Sequence, residues 1–421
     1  MSASTVSSHI SSKRYSQARK AERLTRQVLL YMFLLMPFFR PTIINDWPAI
    51  APLKTVFAGW LLLSCLMLAY RFVLRNGRLE PFLVLLSLYL TAAAVATLLG
   101  NGLRYDLVVN TAMFIAPALL IAVLRKDEVL PFLVATLLVI GVLVVLELAT
   151  RALLLGGIYR LDGDARWILE GGSLQSRWCF LLVFFAAAFD YLAKGRLGAA
   201  FMGASAVSIV LVLALASATS MVALVAEIVV ILFSWSSPVQ RFATSRNALL
   251  ITTVFLVLIV FVRIADYLPY DQIATILGKD LTYSQGSTFT GRTYIWDSVI
   301  GSIAESPIIG YGYQQYVATD LWQFYYVHDY GSAHNLWLQI GFTAGVFGII
   351  LFASAVVSAC STADKCSNRA YRAVLCGLVL SLMLTSVFEN TLNSLLILAL
   401  SFVASPEASE ALSMSVPRGR A

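Results

Sequence analysis

The sequence predicts an all-α integral membrane protein with about twelve transmembrane helices and a large, partly helical loop between spans nine and ten. Of the 421 residues, 59% are hydrophobic and 13% are charged. A soluble globular chain has roughly 45–50% apolar and about 25% charged residues, so lipid must solvate much of this apolar surface. Apolar stretches of about 20 residues, long enough to cross a bilayer, recur along the chain. The polar, aromatic-rich segment 266–333 interrupts them.

Twelve apolar segments are candidate spans, of which the first is interrupted by Pro37 and Arg40 and the last is short. Their predicted boundaries are 28–45, 50–70, 81–99, 107–124, 129–150, 177–193, 197–215, 219–234, 248–265, 335–356, 371–390 and 392–404. The predicted organisation is a basic N-terminal tail at 1–26, spans one to nine at 27–265 with an outer loop at 151–176, a large outer loop at 266–333, spans ten to twelve at 334–404, and a C-terminal tail at 405–421.

The distribution of lysine and arginine orients the chain. If the N-terminus is cytoplasmic, two thirds of the 30 lysines and arginines lie in the tails and short loops on that side. Loops rich in these residues usually stay in the cytoplasm. The pattern therefore predicts a multi-pass protein of a bacterial inner membrane, with both termini cytoplasmic and both long loops periplasmic.

Sequence motifs for nucleotide and zinc chemistry are missing. The chain has no Walker A motif, no HExxH motif and no CxxC pair among its five cysteines. We therefore expect no metal, no other cofactor and no nucleic-acid partner.

Arginine is usually enriched in cytoplasmic loops, so the arginines on the outer side are exceptions and are candidates for binding an anion. Guanidinium groups bind phosphate through two parallel hydrogen bonds. A cationic pocket formed where the two outer loops meet would suit the diphosphate of a lipid-linked substrate. Anchoring at the membrane interface is the alternative for each arginine. The first loop contributes Arg151, Arg160, Arg166 and Arg177, and the second is bordered by or contains Arg263, Lys279 and Arg292.

The large outer loop contains an amphipathic helix with an arginine at its start. Thr290 or Thr293 could cap this helix, which places Arg292 where free N–H groups and the helix dipole favour an anion. Its apolar face is predicted from the helical spacing of Ile295, Trp296, Val299, Ile300 and Ile303.

Two further residues at span ends are candidates for chemistry. His334 lies at the entrance of span ten, and histidine suits a general base because it titrates near neutral pH. Glu389 lies in the hairpin between the last two spans, where an ionisable residue is a candidate by default. It could contact an acceptor or an arginine.

A resemblance to a known family rests on a series of short motifs. They are Thr290-Gly291-Arg292-Thr293 with Ile295-Trp296, then Ser306-Pro307 with Gly310 and Gly312, then His334-Asn335 with Leu338 and Gly345. This pattern resembles the O-antigen ligase / Wzy-type polysaccharide polymerase family, and Gly278-Lys279-Asp280 is similar to its exopolysaccharide polymerase branch. The chain departs from the family at Ser217-Ala218-Thr219-Ser220, where members often carry a basic residue.

The resemblance implies a GT-C-like membrane glycosyltransferase. Such an enzyme transfers a glycan from undecaprenyl diphosphate to an acceptor hydroxyl on the periplasmic face, without a nucleotide sugar or a metal. His334 and Arg292 are then the expected catalytic residues. Expected substrate-binding residues are Arg160, Arg166, Arg177, Arg263, Gly291, Asn335 and Glu389. Expected partners are the lipid-linked donor, a glycan or lipid-linked acceptor, membrane lipid, and a flippase and chain-length regulator of the same pathway.

Three functions remain open on the sequence. A polymerase of lipid-linked repeat units is favoured by Gly278-Lys279-Asp280. A ligase that moves the finished glycan to lipid A-core would share the donor chemistry. A twelve-span secondary transporter is a different class, usually with two six-helix halves around a substantial central linker. The connection at 193–196 is short, and no repeat between the halves is obvious.

Overall fold

The computed structural model describes residues 3–75, 77–101, 105–161, 164–169, 175–215, 217–264, 290–314, 317–319 and 329–414. Most of the large outer loop before Thr290 is outside these ranges. The predictions that concern Lys279 and the Gly278-Lys279-Asp280 motif therefore lie outside the described residues.

The described chain is almost entirely helical. The helices are α1 Ala3–Leu35, α2 Ile43–Asp46, α3 Pro52–Leu74, α4 Pro81–Asn101, α5 Tyr105–Ala122, α6 Val129–Leu153, α7 Ser176–Lys194, α8 Ala199–Ala214, α9 Ala218–Leu232, α10 Ser237–Phe242, α11 Ser245–Leu256, α12 Thr290–Glu305, α13 Leu336–Asp364, α14 Arg369–Ser386, α15 Ser394–Val403 and α16 Pro406–Met414. Short 3-10 turns occupy Pro48–Ile50 and Lys126–Glu128, and a π-helical turn at Val257–Phe261 continues α11.

Two small antiparallel hairpins accompany the helices. Strand β1 (Tyr159–Leu161) pairs with β2 (Asp164–Arg166), so that Tyr159 lies opposite Arg166. Strand β3 (Ala318–Thr319) pairs with β4 (Asp329–Tyr330). The first hairpin lies in the predicted outer loop 151–176, and the second lies in the predicted loop 266–333.

The helices are those of a multi-pass membrane protein. Six are long and apolar enough to cross a membrane, namely α3, α4, α6 with the turn before it, α7, α13 and α14. The pair α15 and α16, bent by 58°, gives a seventh candidate. Within the described ranges, the remaining apolar helices α5, α8, α9 and α11 have only 10–17 residues in their apolar parts. The predicted all-α membrane fold is confirmed, whereas the count of twelve spans stays a prediction.

Helices form within both predicted tails. Helix α1 already begins at Ala3 and ends just before Pro37, since proline cannot continue the helical hydrogen bonding. At the other end, α16 forms beyond residue 405 and has Ala408 and Leu412 fully buried. The segment after span twelve is thus packed against the bundle.

Polar contacts connect the loops at one end of the bundle. We call this the basic end, formed by residues 71–80, 123–128, 190–198, 233–246, 361–372 and 404–414. Arg75 binds Glu128 through two hydrogen bonds of 2.7 and 2.9 Å. The Asp190 carboxylate accepts from the backbone N–H of Gly198 and of Phe201, both at 2.9 Å. The loops that the sequence assigns to the cytoplasm all lie in this end.

At the opposite end, which we call the site end, α13 contains a break. Its backbone leaves the helical conformation at Ala344 and Gly345, where Gly345 has a φ of 65°. The segment after α12 fills this break. Val346 N donates to Pro307 O at 2.7 Å, and Tyr311 N donates to Phe342 O at 2.8 Å. The segment from Pro307 to Tyr311 is therefore bonded to the break in α13 by main-chain hydrogen bonds.

We expect Gly345→Ala to destabilise the protein. A Cβ at this position would collide with the carbonyl of Ile308, and the positive φ is unfavourable for alanine. A backbone with φ 65° and ψ −168° is essentially restricted to glycine and costs about 1–3 kcal/mol in another residue, so thermal unfolding in detergent should occur at a lower temperature. Gly203→Ala is the matched control, because a Cβ on Gly203 of α8 meets nothing within 4 Å. Equal melting temperatures for Gly345→Ala and the wild type would contradict this account.

Candidate functional site

Helix α12 is held at the site end by its apolar face. Ile295, Trp296 and Val299 are 0–3% exposed and belong to one cluster with Phe342 of α13 and Phe388 beyond α14. The predicted apolar face is confirmed. The helix begins at Thr290, so Thr293 lies inside it and is not the cap.

This packing places Arg292 in the first turn of α12 beside two residues from distant segments. Nη2 of Arg292 donates to Oε1 of Glu389 at 2.6 Å. The other carboxylate oxygen of Glu389 lies 3.4 Å from Nδ1 of His334. The side chain of Glu389 is 5% exposed, that of Arg292 19% and that of His334 34%. A buried carboxylate thus bridges two partly accessible basic groups.

The backbone at His334 is constrained. Its φ is 46°, in a left-handed region that non-glycine residues seldom occupy and that often marks functional sites. The next residue, Asn335, is the N-cap of α13. Its Oδ1 accepts from Leu338 N at 3.0 Å, and its Nδ2 donates to Val387 O at 2.8 Å.

Asn335 is completely buried, and both polar atoms of its side chain are bonded within the protein. The sequence reading assigned it to substrate binding. Its contacts hold the start of α13 against the end of α14, and these are the segments that carry His334 and Glu389. Its role in substrate binding stays a prediction.

The geometry allows a proton transfer at the exposed side of His334. If Nδ1 carries a hydrogen and points at Glu389, then Nε2 presents its lone pair, and the carboxylate stabilises the imidazolium that forms when Nε2 takes a proton. The carboxylate also holds the guanidinium of Arg292 in a fixed orientation.

Arg263 joins this region through a second carboxylate. It forms an ion pair with Asp297 of α12 and has a φ of 54° just after the π-helical turn. Both side chains are well exposed, at 40% and 51%. Asp297, five residues beyond Arg292, was missed by the sequence reasoning, although its position on the polar face of α12 was a signal. Gly291 lies next to Arg292 in the first turn of the same helix.

The first outer loop is organised by a buried acid that the sequence reasoning also missed. Glu147 of α6 is 0% exposed. One of its oxygens accepts from Arg151 Nε at 2.6 Å, and the other accepts from the backbone of Ile168 and Leu169 at 2.9 and 2.8 Å. The Arg151 guanidinium also lies 4.1 Å from the centre of the Trp167 ring. Glu147 through these hydrogen bonds, and Arg151 through Trp167, thus fasten the loop to α6.

The other arginines of this loop differ in their surroundings. Arg160 of β1 is exposed, and Arg177 at the start of α7 is buried. Arg166 of β2 is close enough to Asp46 for their charges to attract each other. Burial raises the pKa of the Asp46 carboxyl, while the positive charges of Arg166 and Lys54 oppose that rise.

A turn after α1 connects the first outer loop to the segment of Glu389. Ser394 at the start of α15 donates to the carbonyl of Phe38 at 2.7 Å. The ring of Phe39 lies 5.8 Å from that of Trp178, the neighbour of Arg177. The starts of α7 and α15 therefore pack on the same turn, which makes Arg177 the first-loop arginine that these contacts connect to the Glu389 segment.

Possible metal ligands are scattered in the described ranges. In that part of the chain, histidine, cysteine, aspartate and glutamate form no group of three or more that could hold a metal ion.

Comparison with known proteins gives two matches. The family model for O-antigen ligase matches residues 203–353, a region that contains Arg292, His334 and the break in α13. The exopolysaccharide production protein ExoQ of Rhizobium meliloti (strain 1021) is 34% identical over 97 residues, which are 21% of each chain. The match thus spans about a fifth of the length of this relative. Together with the motifs that form the site, these matches show that the region 203–353 is similar to the O-antigen ligase family, and they support the resemblance of the chain to the O-antigen ligase / Wzy-type polysaccharide polymerase family.

Proposed function

We propose that the protein is a glycosyltransferase that moves a glycan from undecaprenyl diphosphate to an acceptor hydroxyl on the periplasmic face, as a polymerase of exopolysaccharide or O-antigen repeat units. The observation that carries this proposal is the arrangement of Arg292, Glu389 and His334, in which one buried carboxylate orients a guanidinium and an imidazole. The likeness to an exopolysaccharide production protein supports the choice of a polymerase.

In this mechanism, Nε2 of His334 accepts the proton of the acceptor hydroxyl as its oxygen attacks the anomeric carbon. The bond between that carbon and the diphosphate oxygen breaks, and the electron pair leaves with the lipid diphosphate. A single displacement of this kind inverts the anomeric configuration. Arg292 stabilises the charge that develops on the diphosphate, which is usually the largest catalytic contribution.

The ion pair with Glu389 determines which N–H donors of Arg292 can bind a phosphate. A guanidinium has five N–H donors in a rigid fork, and the described bond to Glu389 uses Nη2. In the proposed complex, Glu389 holds the fork in place while other donors meet the phosphate oxygens. The guanidinium groups then provide the positive charge that a metal ion provides in other phosphate-handling enzymes.

Further arginines are proposed to complete the anion site. Arg263 forms an ion pair with Asp297 of α12. Arg177 is connected to the Glu389 segment through the turn at Phe38 and Phe39. Arg160 and Arg166 of the β1–β2 hairpin are proposed to contact the glycan or lipid of one substrate. A flippase that delivers the donor and a chain-length regulator are the proposed partners.

We also propose the topology of the chain. Twelve spans would place both termini in the cytoplasm of a bacterial cell and the site end in the periplasm. The separation of the loops into a basic end and a site end supports this arrangement, since cytoplasmic loops are rich in lysine and arginine. Helices such as α8 and α9, with 16 and 15 residues, would span a locally thinned bilayer or be extended by their flanking turns.

A ligase is the second candidate, because the matching family model is described as O-antigen ligase. It would use the same donor site and differ only in the acceptor, which would be lipid A-core. The transporter alternative has no comparable support in the contacts of the site end.

We expect His334→Ala and Arg292→Ala each to abolish polymer formation while the protein remains in the membrane. Loss of a general base lowers turnover by roughly 10²-fold or more, and loss of one charged donor lowers it by roughly 10²–10³-fold. The measurement is polymer length by gel electrophoresis, beside an immunoblot of the membrane fraction. Gly301→Ala is the control on the same helix, because a Cβ there meets nothing within 4 Å.

A double-mutant cycle tests the role of Glu389 in the same assay. If Glu389 acts through Arg292, then Arg292→Lys combined with Glu389→Gln should lose less polymer formation than the two single losses combined, because residues that act as a unit are not additive. Fully additive losses of polymer formation would show that Glu389 acts independently of Arg292. Normal polymer from either His334→Ala or Arg292→Ala would refute the mechanism.

The topology can be tested by labelling single cysteines with a membrane-impermeant maleimide. Four of the five native cysteines are buried and Cys65 is half-buried, so background labelling should be low. In cells with a permeable outer membrane, we expect labelling at Ser287→Cys and protection at Ser367→Cys. The reverse pattern would overturn the proposed orientation.

A deletion strain separates the polymerase from the ligase. A strain without a polymerase should accumulate single repeat units on the lipid carrier, because the donor is made but not joined. A strain without a ligase should instead accumulate full-length chains on the carrier. Analysis of carrier-linked glycans by mass spectrometry distinguishes these outcomes, and we expect single repeat units.

A further inference from the structure

A second charged site lies at the basic end of the bundle, opposite the site end. A cavity of about 760 Å³ opens there between α10 and the start of α14, a volume within the range of small-molecule sites. Three of its lining side chains are arginines and none is acidic. The cavity is lined by Ser237, Pro238, Gln240, Arg241, Phe242, Arg369 and Arg372.

The walls of this cavity are bonded to each other. Nη2 of Arg372 donates to the carbonyl of Gln240 at 3.0 Å, and Nε2 of Gln240 donates to the carbonyl of Ser234 at 3.0 Å. The arginines on α10 and α14 are thereby held on facing sides. The buried Nε of Arg372 has no hydrogen-bond partner among the described residues, which is a donor that a bound anion could satisfy.

The carboxylate of Asp364 does not neutralise the arginines of this cavity. Asp364, at the end of α13, accepts from the backbone N–H of Ser245 at 2.7 Å and of Arg246 at 3.2 Å. It is therefore engaged at the start of α11 and is not a lining residue of the cavity.

Another cavity at the basic end differs in the charge of its lining. It has a volume of about 710 Å³, and its basic side chains are accompanied by acidic ones. These charged lining residues are Arg75, Arg78, Arg125 and Lys126 together with Glu80, Asp127 and Glu407. Positive charge is thus nearly balanced in that cavity and unbalanced in the three-arginine cavity.

Exposed aromatic side chains lie on the segment that lines the three-arginine cavity and on the turn before it. Phe242 is 68% exposed, and Phe233 and Trp235 in the preceding turn are 56% and 48% exposed. Aromatic residues of this kind favour the boundary between the acyl chains and the headgroups. This composition suits a cavity at the level of the lipid phosphates, where basic pockets between helices bind anionic headgroups.

We propose that this cavity binds the phosphate headgroup of an anionic phospholipid. Arg241 and Arg369 provide charged donors from its two walls, and Arg372 provides a third at its base. Phe242 contacts the first carbons of the acyl chains. The site is separate from the transfer site at the other end of the bundle, and the proposal does not depend on the chemistry proposed there.

The test is a titration of the purified full-length protein in detergent with phosphatidylglycerol, followed by native mass spectrometry. Wild-type protein should retain phosphatidylglycerol in preference to phosphatidylcholine. The double variant Arg241→Gln/Arg369→Gln should bind phosphatidylglycerol about tenfold or more weakly, because each basic residue near an anionic lipid contributes to binding. Arg196→Gln is the matched control, since Arg196 is an exposed arginine of the basic end that does not line the cavity.

Folding and specificity are controlled in the same experiment. Arg241→Gln alone should weaken binding in the same direction but less, and it remains informative if the double variant does not fold. Phosphatidylglycerol should also raise the melting temperature of the wild type more than that of the variants. Unchanged lipid preference in the double variant, an equal loss in Arg196→Gln, or displacement of the lipid by inorganic phosphate at millimolar concentration would each overturn the proposal.

Discussion

The buried carboxylate of Glu389 constrains the whole site end. A carboxylate removed from water is costly unless charged or hydrogen-bonding groups surround it. Here Arg292 of α12 and His334 before α13 meet it from two sides. Three segments that are far apart in the chain must therefore come together before the acid can be buried. Any substrate that binds Arg292 has to share it with Glu389, so the site is pre-organised but only weakly cationic in its resting form.

The glycines of the family motif support this arrangement without taking part in the chemistry. Gly345 opens a break in α13, and the segment that contains Gly310 lies in that break. A Cβ on Gly310 would come within 2.6 Å of Gly345 N, so the close approach depends on both residues lacking a side chain. Because α12 leads directly into this segment, the break also fixes where Arg292 stands relative to His334. Within one motif, the glycines thus shape the backbone, and Arg292 and His334 are the residues proposed to carry the chemistry.

Positive charge is handled differently in the ion pairs of the site end and in the three-arginine cavity of the basic end, although the basic end also contains ion pairs such as Arg75 with Glu128. At the site end, arginines are paired with acids, as in Arg151 with Glu147, Arg263 with Asp297 and Arg292 with Glu389. Such pairs orient a guanidinium and leave little net charge. At the basic end, the cavity between α10 and α14 has three arginines and no acidic lining residue. An oriented guanidinium suits a reaction that must stabilise a leaving group, whereas an unbalanced cluster suits an anion that stays bound.

The sequence by itself determined the membrane class, the amphipathic face of α12 and the position of Arg292 in its first turn. These features follow from composition and helical spacing, which are local properties of the chain. Only the tertiary structure decided that Glu389 binds Arg292, 97 residues away in sequence, that Asn335 is buried as a cap, and that Glu147 organises the first outer loop. It also decided where helices end within long apolar stretches, since hydropathy is similar on both sides of such an end. Contacts between distant segments depend on how helices pack, and periodicity along one segment contains no information about its partner.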